Sequence, residues 1–150
     1  MLKSLRLLDF RCFEQLSLEF SERGGIFIGD NAQGKTSILE AICVLVRLQS
    51  PRAKTMRPLV RFESSGLGIA GDCWDRDLAV RFSRGTANLQ IDGEELATQN
   101  AFLALSGLIV WMGNEDVDLI RGSGGGRRRY IDFICSQLDL GYRRALSRYR

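Results

Sequence analysis

Between residues 25 and 42 the chain reads GIFIGDNAQGKTSILEAI, and the positions from Gly29 to Thr36 constrain the fold more than any others. Gly29, Gly34, Lys35 and Thr36 fill the four specified positions of GxxxxGK[ST], a loop that cradles phosphate with backbone N–H groups. Gly34 gives the backbone conformations closed to residues with a Cβ, so main-chain N–H groups can turn toward an anion. Ile38, Leu39, Ile42, Leu45 and Val46 then recur at helical spacing, which predicts a helix over Thr36 to Leu48 with its positive N-terminal end aimed at the same anion. Lys35 is placed to reach the β- and γ-phosphates, and the Thr36 hydroxyl to ligate Mg²⁺. Residues Gly29, Asp30, Asn31, Ala32, Gln33, Gly34, Lys35, Thr36 and Ser37 are therefore the candidate nucleotide contacts. The motif alone leaves one alternative open, a glycine turn ahead of a core helix with Lys35 merely solvated.

The apolar run Ile26, Phe27 and Ile28 predicts the buried strand that feeds this loop. Around it the pattern is α/β. The segment MLKSLRLLDF reads as a strand because Lys3, Arg6 and Asp9 interrupt its leucines, which also argues against a signal peptide. Leu16, Leu18 and Phe20 alternate as a second strand. Leu67 and Ile69, and then Leu78, Val80 and Phe82, predict further half-buried strands, and NLQIDGEEL sets an Asp92-Gly93 turn between two short runs. Together these describe a small antiparallel sheet. Ala101 to Leu105 suits a short helix, and LIVWM at 108–112 another buried strand. GSGGG at 122–126 reads as a loop before a helix starting near Arg127. The final RRALSRYR is helical in pattern without a C-cap glycine or proline, so the helix is expected to run on beyond it.

Composition excludes several classes of function. With 150 residues and 45% hydrophobic content the chain can bury a core, and no stretch is long enough to span a membrane, so a cytoplasmic location is expected. The chain has no histidine, and Cys12, Cys43, Cys73 and Cys135 lie far apart. That speaks against zinc, a disulfide framework and histidine catalysis, and leaves the cysteines as small buried hydrophobes. The net charge of +3 is unevenly spread. Arg47, Arg52, Lys54, Arg57 and Arg61 form one basic stretch without acids, and eight arginines from Arg121 onward face only Asp132 and Asp139. Such stripes suit a polyanion, most simply DNA or RNA, although solvated or ion-paired arginines give the same composition. Arg52, Lys54, Arg57, Arg127, Arg128 and Arg129 are the candidate DNA contacts. The three on the last helix stand near its N-terminus, where arginine is electrostatically unfavourable.

Five segments carry a resemblance in order along the chain: MLKSLRLLDFRCF, IGDNAQGKTSILEAI, LVRFESSG, EDVDLIRGSGGGRRRYIDF and SQLDLGYRRALSRYR. They are similar to the amino-terminal part of the RecF family of bacterial DNA replication and repair ATPases. The resemblance implies a P-loop ATPase head of the ABC/SMC type with an antiparallel β-rich insertion and the start of a helical second lobe. It divides the chain into a nucleotide-binding lobe over 1–62, a β-rich part over 63–113 and a helical start over 114–150. It further implies ATP and Mg²⁺ as cofactors, ATP-dependent homodimerisation on DNA at single-strand/double-strand junctions, and work with RecR and RecO to load RecA at gaps.

By the same resemblance Arg11, in DFRCF, lies near the nucleotide phosphates, and Asn114 and Glu115 fall where the family's Mg²⁺ and water contacts lie. Two positions depart from the family pattern: Pro51 stands before Arg52 in place of a phenylalanine, and Asn114 replaces a proline. The family's signature motif and Walker B acids belong to its carboxy-terminal half. The expectation is therefore that this chain alone hydrolyses nothing, and its catalytic residues stay unassigned. Two other readings stay open, a nucleotide- or DNA-binding module without turnover and a small-molecule P-loop kinase.

Overall fold

A computed structural model describes residues 1–113, 116 and 118–149 and falls into two units, 1–109 and 110–150. The first is built on one six-stranded antiparallel sheet. In chain order its strands are β1 (Ser4–Phe10), β2 (Phe13–Glu19), β3 (Gly66–Cys73), β4 (Arg76–Ser83), β5 (Thr86–Ile91) and β6 (Glu94–Glu95), arranged β2-β1-β3-β4-β5-β6. Helix α1 (Lys35–Arg47) packs on β1, β3 and β4, and the short α2 (Gln99–Leu105) packs on β5.

The alternation read from the sequence sets which face of the sheet is covered. Leu5 and Leu7 of β1, Leu67 and Ile69 of β3, Leu78 and Val80 of β4, and Leu89 and Ile91 of β5 are all buried on the helix side. Register follows from that face, with Leu7 opposite Ile69, Ile69 opposite Val80 and Val80 opposite Leu89. A slip of one residue would turn each of these side chains to the other face, at about 1.5–3 kcal/mol per large apolar group exposed. From the helices, Ala41, Val44, Leu45, Phe102 and Leu103 complete the core.

Two-residue turns join β1 to β2, β3 to β4, β4 to β5 and β5 to β6. Arg84-Gly85 and the predicted Asp92-Gly93 both have positive φ at each central residue, the backbone that tight hairpins favour. Trp74-Asp75 takes the same form with no glycine (φ 53 and 61), so composition gave no cue to it. Asp9 (φ 49) is skipped in the β1–β2 pairing, and Phe10 after it is fully buried opposite Phe13.

Two apolar runs do not form the strands expected of them. Ile26 and Ile28 are 88% and 92% exposed and their segment pairs with no strand; only Phe27 is anchored, edge-on to Phe20 at 6.3 Å between ring centroids. Leu108, Val110 and Met112 are likewise exposed outside any strand. A continuous apolar run becomes a buried strand only where another strand lies alongside, and among the described residues none does.

The second unit is helical: α3 (Asp118–Arg121), α4 (Gly124–Leu138) and α5 (Leu140–Tyr149). Helix α4 starts three residues earlier than the glycine run suggested, because Gly124, Gly125 and Gly126 supply its first turn, with Ser123 at the N-cap position. No described helix is long and apolar enough to cross a membrane.

A candidate phosphate cleft

Gly34 turns the chain into α1 through a left-handed conformation (φ 87), and Ala32 two residues earlier is left-handed as well (φ 66). A Cβ on Gly34 would lie 2.5 Å from Phe13 Cζ and 2.7 Å from Cys12 Sγ, so the loop lies against the β1–β2 turn, and any other residue would have both to adopt the left-handed backbone and to displace those side chains. Beside it opens a cleft of about 600 Å³. Asn31, Ala32, Gln33 and Gly34 line it from the loop, Lys35, Thr36 and Ser37 from the first turn of α1, and Arg11, Cys12, Arg52, Pro58 and Val60 from elsewhere. The volume falls in the range of small-ligand sites, and the first N–H groups of a 13-residue helix open toward it.

Lys35 folds back over the loop, its Nζ donating to the Gly29 carbonyl at 2.7 Å and the Asp30 carbonyl at 2.5 Å. An ammonium has three N–H donors, so one remains for an anion. Thr36 is exposed on the same turn, and its hydroxyl is accessible to a cation held by phosphates. Among the described residues no cluster of three or more His, Cys, Asp or Glu could hold a metal alone. A loop of backbone donors, one lysine and one hydroxyl is the donor set that a Mg²⁺–nucleotide fits, since Mg²⁺ is commonly carried by phosphate oxygens plus one or two protein groups.

Arg11 lines the cleft, but its side chain is committed to a partner that sequence reasoning missed. Its Nε donates to Glu40 Oε2 at 2.9 Å, one terminal nitrogen to Glu40 Oε1 at 2.8 Å, and the other to the Pro58 carbonyl at 3.0 Å. Glu40 is completely buried on α1 and also accepts from Ser50 Oγ at 2.6 Å, with Arg52 3.8 Å away. Burial pushes its carboxyl upward, but hydrogen bonds from Arg11 and Ser50 and the charges of Arg11 and Arg52 outweigh that and hold it below its ordinary value. The available signal was a lone acid inside the apolar run ILEAICVLV, which can be buried only beside a base.

Arg52, read from charge as a DNA contact, stands at the cleft beside Glu40, whereas Lys54 and Arg57 are exposed outside it. In the second unit Arg127, Arg128 and Arg129 are exposed on α4, and Arg127 donates to the Leu119 and Gly122 carbonyls at 3.3 and 2.9 Å. Asn114 and Glu115 lie outside the described residues. Only two of the four cysteines are core residues. Cys43 and Cys73 are buried and their thiols are pushed up to about 12, while Cys12 is exposed at the cleft and Cys135 is half-buried.

The fold and the cleft define an ATPase head. Residues 1–102 match the family described as AAA ATPase domain, and the chain belongs to that family. Within it the chain is similar to the amino-terminal portion of RecF proteins: it is 36% identical over 155 residues to the DNA replication and repair protein RecF of Oenococcus oeni and 34% identical over 153 residues to that of Lactobacillus johnsonii. Each alignment covers 99% of this chain, which spans about 41% of the length of those relatives. Among solved structures it is similar to the recombination mediator protein RecF-ATP in the RecFOR pathway, at TM-score 0.86 and 29% identity, covering 99% of this chain and 41% of that one. A structure from work on ATP-driven dimerisation and DNA-stimulated activation of SMC ATPases aligns at TM-score 0.68 and 20% identity, covering 89% of this chain and 98% of that one, a likeness of fold. The antiparallel sheet with its helices is thus that of an ABC/SMC-type head.

Proposed function

We propose that the cleft binds ATP through the Gly29–Ser37 loop, with Lys35 on the β- and γ-phosphates, Thr36 on Mg²⁺ and Arg11 at its wall. The observation that carries this reading is the loop itself, with a left-handed glycine against the β1–β2 turn, a lysine folded over loop carbonyls and a helix N-terminus, all at one cleft. In this reading the chain is the nucleotide-binding part of a cytoplasmic protein of DNA replication and recombinational repair. Its ATP-dependent homodimer acts at single-strand/double-strand junctions with RecR and RecO and supports RecA loading. The names and bound nucleotide of its relatives support that role. The position of Arg52 favours nucleotide over DNA for that residue.

Calorimetric titration with ATP and Mg²⁺ tests the cleft. Replacing Lys35 by alanine removes one charge-assisted contact and should weaken binding by roughly 1.5–3 kcal/mol, about ten- to a hundredfold. Thr36→Val should chiefly lower the gain that Mg²⁺ brings. Equal ATP affinity in the original chain and Lys35→Ala would remove the nucleotide reading.

DNA binding rests on the exposed arginines of α4. If all three meet phosphates, their triple replacement by alanine should weaken binding to every sequence alike and flatten the slope of log K against log salt by about 0.9 per lost contact. Arg127 already donates to two carbonyls of its own unit, so a loss of about two contacts is the expected result. An unchanged slope would leave these arginines as packing and solvation residues.

A further inference from the structure

Glu40 stands one helical turn after Thr36 with no exposed surface, and two other segments of the chain end on it. The β1–β2 turn reaches it through Arg11, which is itself left-handed (φ 54) and whose backbone N–H donates to the Leu59 carbonyl at 2.8 Å. The turn after α1 reaches it through Ser50 and Arg52. A carboxylate only accepts, so Ser50 gives Glu40 its single hydroxyl proton. The same oxygen then accepts from the backbone N–H groups of Arg52 and Ala53 at 3.0 and 2.8 Å, which closes the turn. Arg11 spends its Nε–H and one N–H of each terminal nitrogen on Glu40 and Pro58. One N–H on each terminal nitrogen is left over, on a guanidinium whose torsions are fixed and which lines the cleft.

We propose that Glu40 is a positioning residue of the phosphate cleft, fixing Arg11 and the Ser50–Ala53 turn so that both guanidiniums meet an entering triphosphate already oriented. The inference rests on the nucleotide reading of the cleft. Its sign separates it from simple electrostatics. The charge of Glu40 repels a polyphosphate, so if charge were its whole influence, Glu40→Gln would tighten ATP binding. As a positioning residue it lowers the ordering that binding must impose on two arginines, and its loss weakens binding although a negative charge has gone. Glutamine cannot serve the Arg11 fork, because its amide presents a donor where the fork needs a second acceptor. Aspartate keeps the charge but is one methylene short.

The test is equilibrium binding of Mg²⁺–ATP to the 150-residue chain and its variants. Glu40→Gln and Glu40→Asp should each bind about tenfold more weakly. In an Arg11→Lys background, where the fork is already gone, Glu40→Gln should change affinity by less than about threefold. Tighter or equal binding by Glu40→Gln, or full affinity in Glu40→Asp, overturns the proposal, as does a loss of folded protein in which the folded fraction binds normally. Ser50→Ala removes one tie with no change of charge and serves where the Glu40 variants do not fold. It should bind about three- to tenfold more weakly, and unchanged affinity there is equally fatal. If the original chain and Lys35→Ala bind ATP equally, the nucleotide reading itself has failed. If Lys35→Ala is weak while the Glu40 and Ser50 variants bind normally, only the positioning role has.

Discussion

Arg11→Ala is expected to lower the stability of the chain by about 3 kcal/mol, far more than a substitution in a partly exposed turn ordinarily costs. The reason is what remains behind. Glu40 has no exposed surface, and without Arg11 it keeps only the Ser50 hydroxyl and a guanidinium 3.8 Å away. Breaking a buried pair by removing one partner costs about 3–5 kcal/mol, because the other charge stays desolvated and uncompensated. The lower end applies here, since a quarter of the Arg11 side chain is exposed and water already screens that end of the pair.

Urea unfolding monitored by circular dichroism measures it, and a loss below about 1 kcal/mol would mean that water reaches Glu40 after all. Acid gives a second reading. The Glu40 carboxyl is held below its ordinary 4.5, so its contribution to stability is complete above that pH and is lost as pH falls through the depressed folded value. In Arg11→Ala burial dominates and the carboxyl rises instead. The variant should then gain stability as pH falls toward about 4.5, the original chain should lose it as pH falls further, and the gap between them should narrow across both ranges.

The elements legible in the sequence are those whose signal is local. Alternation in β1 to β5 reports which side of a strand meets a core, the Asp92-Gly93 turn carries its own backbone chemistry, and the phosphate loop is a fixed spacing that leads into a periodic helix. What failed depended on partners elsewhere in the chain. Ile26 to Ile28 and Leu108 to Met112 show that an apolar run states a need for cover without stating what covers it. Trp74-Asp75 turns tightly because Cys73 and Arg76 are paired across β3 and β4, a constraint of register that outweighs the preference for glycine. The cleft was half legible for the same reason. The loop was visible as a motif, whereas the Arg11–Glu40 pair joins residues 29 apart through the packing of α1 against the β1–β2 turn.

That packing makes Gly34→Ala the other substitution with a large expected effect, about 2–5 kcal/mol of stability together with loss of ATP binding. Two costs add. A left-handed residue with a Cβ is strained by about 1–2 kcal/mol, and the methyl would sit 2.5 Å from the Phe13 ring and 2.7 Å from Cys12 Sγ, an overpacking cost of about 1–3 kcal/mol. Gly24 separates them. It has nearly the same φ (91) with nothing within 4 Å of where a methyl would sit, so Gly24→Ala carries the left-handed strain alone. The difference between the two variants in urea unfolding is then the contact cost. Only at Gly34 should relief of the clash displace the loop from the β1–β2 turn, turning its N–H groups away from the cleft and lowering ATP affinity with it. Should Gly34→Ala cost no more than Gly24→Ala and bind ATP normally, the close approach of loop and turn would not be what shapes the phosphate site.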